Sequence, residues 1–98
     1  MGATWTVSSQ PEDEADFEKI GQAILNANPG DTIEVKSGVY NENIEVILPL
    51  TIRGAEVGMP LIDGNGYRPT ILISAPNCTI ETLNIEGAGI RNLMQELL

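Results

Sequence analysis

The stretch Pro29-Gly30-Asp31-Thr32-Ile33-Glu34-Val35-Lys36-Ser37-Gly38-Val39-Tyr40-Asn41-Glu42-Asn43-Ile44-Glu45-Val46 decides the fold. It contains two runs that alternate apolar and polar residues, Ile33/Val35 and Ile44/Val46. Period-two alternation turns one side of each run into a core and the other toward water. Between them lies a corner built on Ser37-Gly38 and Asn41-Glu42-Asn43. Glycine and asparagine tolerate the backbone angles that a sharp bend requires.

Two such runs read most simply as an antiparallel hairpin. The continuation of the pattern argues otherwise: Leu50/Ile52, Leu61/Ile62, Ile71/Ile73, Ile80 and Leu83/Ile85 form further short bursts, each ended by Gly, Pro or Asn. A shift of 27 or 28 places lays Ile44 and Val46 on Ile71 and Ile73, Leu50 on Cys78, and Ile52 on Ile80. Self-similarity at a period of that size is the mark of a solenoid, in which each coil covers the apolar interior of the one before.

The order of segments then carries a family resemblance. A helix, PGDTIEVKSGVYNENIEV, and then LTIRGAE, LIDGNG and ILISAPNCTIETLNIEG follow one another over roughly residues 4–87. This resembles the opening of pectin-lyase-like right-handed parallel β-helices, most closely the NosD-like, carbohydrate-binding and sugar-hydrolase group of repeats. The resemblance implies a mainly β chain, a short right-handed parallel β-helix of two to three coils, with an N-terminal capping helix. It also implies export or display on a cell surface. It implies no catalytic residue, because the esterases and lyases of that superfamily carry theirs on later coils and no residue here matches their motifs. A fold of this kind does not settle function.

Ninety-eight residues suit one domain near the lower limit for a self-sufficient core, and 42% hydrophobic content excludes a disordered chain. A formal charge of −9 disfavours nucleic acid and anionic membrane as partners. The acids Glu12, Asp13, Glu14, Asp16 and Glu18 precede or enter the expected helix, where they favour its positive N-terminus. A single cysteine, Cys78, allows no intrachain disulfide and falls at a core-facing position one coil after Leu50. Met1-Gly2-Ala3-Thr4 lacks the charged and apolar segments of a signal peptide, and no run reaches the length of a membrane span.

Along the chain, residues 4–28 are expected to form a β-prone strand and a cap helix, residues 31–87 the coils, and residues 89–98 a C-terminal helix. Phe17, Ile20, Gly21, Ile24 and Leu25 recur at helical spacing, after a start at Ser8-Ser9-Gln10-Pro11 and before a stop at Asn28-Pro29-Gly30. Ile90, Leu93, Met94, Leu97 and Leu98 repeat that spacing at the other end. So short a helix is marginal alone. It either folds back over the open last coil or pairs with its equivalent in a second copy, and a homodimer is the favoured reading because solenoids need about three repeats.

The chemistry is sparse. There is no histidine, one cysteine and no clustered methionine, so no cofactor is expected and no copper ligands accompany the NosD-like resemblance. Asp63-Gly64-Asn65-Gly66 starts like a calcium loop, but Tyr67 and Ser74 stand where further ligands belong, and a tight turn is the better reading. Glu34, Glu42, Glu45, Glu81 and Glu86 are outward carboxylates with no reason to select a pair for glycosidic chemistry. Asn77-Cys78-Thr79 matches a glycosylation pattern. Carbohydrate binding would call on exposed aromatics, with Tyr40 and Tyr67 expected at the surface and Trp5 a weaker candidate that more ordinarily completes a core. The expectation is a non-catalytic β-helix module, carbohydrate-associated and self-associating through Ile90, Leu93, Met94, Leu97 and Leu98. The alternatives are a fragment of a polysaccharide lyase, esterase or hydrolase lacking its catalytic coils, and a pure assembly scaffold.

Overall fold

In the computed structural model, which describes residues 2–55 and 58–96, alternation does set the strands, but the two runs of the central stretch lie in different sheets. The strands are β1 (Thr4–Val7), β2 (Thr32–Val35), β3 (Val39–Tyr40), β4 (Ile44–Val46), β5 (Thr51–Gly54), β6 (Leu61–Asp63), β7 (Ile71–Ile73), β8 (Thr79–Glu81), β9 (Asn84–Glu86) and β10 (Ile90–Asn92). Two helices accompany them, α1 (Ile20–Asn26) and α2 (Leu93–Glu96), with a 3-10 turn at Pro11–Asp13. The strands form three sheets, ordered β1-β2-β5-β8, β3-β6-β9 and β4-β7-β10. Every strand pair is parallel. From β2 onward the chain visits the three sheets in rotation and completes three circuits.

Register places like on like. Ile44 lies opposite Ile71 and Val46 opposite Ile73, and Ile52 lies opposite Ile80, as the sequence period requires. The remaining columns follow shorter steps: Ile33 faces Ile52, Tyr40 faces Ile62 and then Ile85, and Ile71 faces Ile90. These inward residues make the core, and those of the first two circuits are almost completely buried. Cys78 is half-buried against the same core, with its thiol near the Leu48 and Ala75 carbonyls.

The C-terminal expectation is corrected by this arrangement. Ile90 is not helical; it opens β10, lies on Ile71, and completes the third circuit. Its position satisfies both a helical and an alternating pattern, and strand pairing wins because it fills the open edge of β7 and continues the column of Ile44 and Ile71. The helix that remains is four residues, in which Leu93 and Met94 are half-buried; Leu97 and Leu98 lie outside the described residues.

The N-terminal helix is also shorter than its apolar spacing suggests. Phe17 lies outside it, bridged to Val7: its N–H donates to the Thr6 carbonyl and its own carbonyl accepts from Ser8 N, both at 3.0 Å. Lys19 is still extended, and Leu25 is 77% exposed rather than packed. The edge of β1 explains the difference. Its outward N–H groups need partners, and the segment before α1 supplies them instead of coiling. Ile20, Ala23 and Ile24 form the buried face of α1, which packs on β1, β2 and β4.

Gly54 is dictated by close approach. A Cβ on Gly54 would stand 2.0 Å from the Thr82 carbonyl oxygen and 2.9 Å from the Pro60 ring. Neither neighbour is the free end of a flexible side chain. Gly54→Ala is therefore expected to cost about 3 kcal/mol and to lower the thermal midpoint by about 10 °C or more. Leu25→Gln, on the exposed side of α1, should stay within about 0.5 kcal/mol of the parent in the same melting experiment.

Candidate functional site

The aromatic residues do not form a platform. Tyr40 is 3% exposed: its ring fills the interior of β3, and its hydroxyl donates to the Lys36 carbonyl at 2.7 Å. Burial raises the phenol above its usual range. The expectation of an exposed Tyr40 is thus overturned, because the period-two pattern of Val39-Tyr40 turns the tyrosine in and leaves Val39 out. Tyr67 is 93% exposed, on the loop between β6 and β7. Trp5 is half-buried; its indole N–H donates to Asp31 Oδ2 at 2.9 Å and its ring lies 5.8 Å from that of Phe17. Of the three, only Tyr67 presents an open face.

The outward carboxylates mostly have structural partners. Glu42 reaches back to the N-terminus of α1, where Oε2 accepts from Ile20 N at 2.9 Å and Oε1 from Gly21 N at 3.0 Å. A helix start lacks internal acceptors for its first N–H groups, and an anion there is favoured by the helix dipole. Glu45 accepts from the Ser74 hydroxyl at 3.0 Å. Glu34, Arg53 and Glu81 form a row across β2, β5 and β8 on the outer face, above a groove of about 270 Å³ that Gly54 and Thr82 complete. Glu34 and Arg53 pair at 3.4 Å with both side chains partly exposed, an interaction of small net worth. The two glutamates are two strands apart, about 9.6 Å along the sheet, and Arg53 stands between them where a sugar and a water would have to fit. Among the described residues no group of His, Cys, Asp or Glu is arranged to hold a metal ion.

Functional weight in this region is therefore structural, and Asp31 carries much of it. Its buried carboxylate accepts from Ala3 N and Asn28 N at 2.8 Å each, and from the Trp5 indole at 2.9 Å. It joins β1, the end of the α1 connection and β2 at one point. These bonds, that from Asn28 foremost, then Trp5 and Ala3, hold its carboxyl below the usual range against the opposing effect of burial. Asn43 acts similarly one coil on, its amide donating to the Gly64 carbonyl at 2.9 Å and to Pro69 at 3.2 Å. Asp16, read from sequence as part of a helix-favouring acidic run, instead accepts from Thr6 N at 2.9 Å and seals the edge of β1. Asp31, Glu42 and Asn43 all belong to the motif quoted first; apart from Asn28, three residues before Asp31, their partners lie 21 to 28 residues away and had no signal in the chain.

The two ends of the stack differ. At the N-terminal end, Asp16, Phe17 and α1 cover β1. At the other end β8, β9 and β10 are the last strands of their sheets. Their inward residues, Ile80 and Ile85, are only half-buried, and Ile90 is 47% exposed, although each continues a fully buried column. Compared with protein-family models, with curated proteins and with solved structures, the chain matches none.

Two outcomes follow from these latches. Glu42→Ala should destabilise the chain by about 1–2 kcal/mol in chemical denaturation, and Glu42→Gln, which keeps one acceptor, by less. Because the folded Asp31 carboxyl lies below its ordinary value of 3.8, its contribution is complete above that pH and fades as pH falls further, through the folded value. The stability difference between the parent and Asp31→Asn should therefore be constant from pH 7 to about 5 and shrink below about 4. A difference that grows toward acid pH would contradict the assignment.

Proposed function

We propose that this chain is a short right-handed parallel β-helix of the pectin-lyase-like kind and a non-catalytic module, whose binding event is self-association through its C-terminal end. Three parallel sheets entered in rotation, with inward columns of isoleucine, support the architecture. The observation that carries the association is the change in burial along one column. Ile44 and Ile71 are at most 4% exposed, whereas Ile90, next in line, is 47% exposed. A fourth coil, or another surface of the same outline, would bury it. The Arg53 side chain standing between Glu34 and Glu81, and the structural use of Glu42 and Glu45, support a role without chemistry of its own. Association with a surface polysaccharide rests on Tyr67 alone.

The half-buried Leu93 and Met94 adjoin the exposed end and belong to the associating surface, together with Ile90. No helix among the described residues is long and apolar enough to cross a membrane, and the acidic chain supports neither nucleic acid nor an anionic membrane as partner. Static light scattering at tens of micromolar is expected to give twice the 10.5 kDa chain mass. Leu93→Asp, checked for retained β structure by circular dichroism, should return it to the mass of one chain. A single-chain mass for the parent across that concentration range would defeat the proposal.

A further inference from the structure

We infer that the association closes on itself: two copies meet end to end about a two-fold axis, with β8, β9 and β10 of one against the same three strands of the other, antiparallel. This rests on the self-association proposed above and specifies its partner and geometry. The first support is the inequality of the ends. A copy could grow head to tail only if its N-terminal end accepted a β-edge. There, Thr6 N is held by Asp16, Thr6 O and Ser8 N are held by Phe17, and α1 packs over β1, β2 and β4 under the Glu42 cap. The β1 edge is therefore taken, and that end keeps only the edges of β3 and β4, against three open edges at the other end. Only like meeting like pairs all three edges of the C-terminal end, and an isologous contact stops at two.

Strand direction supplies the second support. Turning a coiled chain end over end reverses the sense in which it circles its axis, so each strand of one copy runs opposite to the strand it meets. Antiparallel edges exchange perpendicular hydrogen bonds, and all three exposed edges find a partner at once. The apolar residues Ile80, Ile85 and Ile90 then face their counterparts across a continuous interior.

Charge selects the axis. The outward side chains of the last circuit are Glu81 on β8, Glu86 on β9 and Arg91 on β10. An axis through β10 would set Arg91 against the partner's Arg91. An axis through β8 pairs β9 with the partner's β10, and one through β9 pairs β8 with it, so that two Arg91–glutamate pairs outweigh the one glutamate pair on the axis, whereas the axis through β10 makes every facing pair like. Opposite charges across neighbouring strands are favourable and like charges are not. The area is also sufficient. Three-residue strands about 10 Å long, with their corners, outline an end face of about 500 Å² per copy; about 1,000 Å² in total reaches the lower bound for a specific interface.

Sedimentation velocity on the full chain from about 1 to 200 μM tests the geometry across the range where an interface at that lower bound associates. Mass should rise to that of two chains and stay there. Continued growth beyond two chains would overturn the closed geometry and leave self-association standing; a single chain throughout would overturn both. Arg91→Glu should weaken the dimer about tenfold, the effect of roughly 1.4 kcal/mol, and adding Glu81→Arg with Glu86→Arg should restore it. Unchanged affinity would overturn the proposed axis. Hydrogen exchange on the unmodified chain needs no variant: protection within residues 79–92 should rise with concentration while Thr4–Val7 stays constant. A concentration-dependent change at Thr4–Val7 instead would overturn the pairing.

Discussion

Everything in this structure depends on one parity constraint. Each strand pairs in parallel with the strand one circuit away, so the residues facing inward must stay in phase from coil to coil although the connections differ in length. Thr32 meets Thr51 after 19 residues, whereas Thr51 meets Thr79 after 28. A slip of one residue would turn a column of isoleucines outward and a row of charges inward. The columns Ile33–Ile52–Ile80 and Ile44–Ile71–Ile90 show the phase kept through loops that share no length.

That phase is set at the first coil by polar latches rather than by apolar packing. Burial of isoleucine is non-directional and tolerates sliding, while hydrogen bonds to a fixed acceptor do not. Asp31 fixes β1 and the α1 connection against β2, Glu42 fixes the start of α1 against the corner before β4, and Asn43 fixes the next coil through the Gly64 and Pro69 carbonyls. Between the second circuit and the third the buried Thr70 acts alike, its hydroxyl donating to the Glu86 carbonyl at 2.5 Å. This division of labour explains why the polar residues with chemical potential in other settings are occupied here. A carboxylate that already accepts two backbone N–H groups has little capacity left for a substrate.

The sequence made the core positions and the parallel arrangement legible, through alternation and through the repeat linking Ile44 to Ile71 and Ile52 to Ile80. It concealed the shorter steps, since no single shift superposes Ile33 on Ile52 and Ile71 on Ile90 while preserving the longer one. Ile90 was ambiguous because its spacing to Leu93 and Met94 satisfies a helix as well as its alternation satisfies a strand; only the presence of Ile71 beneath it decides. The spacing of Phe17 likewise favoured a longer helix, and the needs of the β1 edge overrode it. For the candidate site, Tyr67 was legible as a loop aromatic, but Tyr40 was misplaced because a single residue of parity separates the surface from the interior. The role of Glu42, and that of Asp31 toward Ala3 and Trp5, depend on distant N–H groups, which leave no mark on local sequence.

The layout of the sheets also bears on how the molecule would respond to force. The strands lie across the stack, β1 belongs to one end and β10 to the other, so tension applied through the two termini acts along the direction in which the strands hydrogen-bond. Such a load opens a ladder bond by bond instead of shearing all of its bonds together. The outermost coil would peel away first, followed by the one beneath it. Resistance would therefore come in small successive steps.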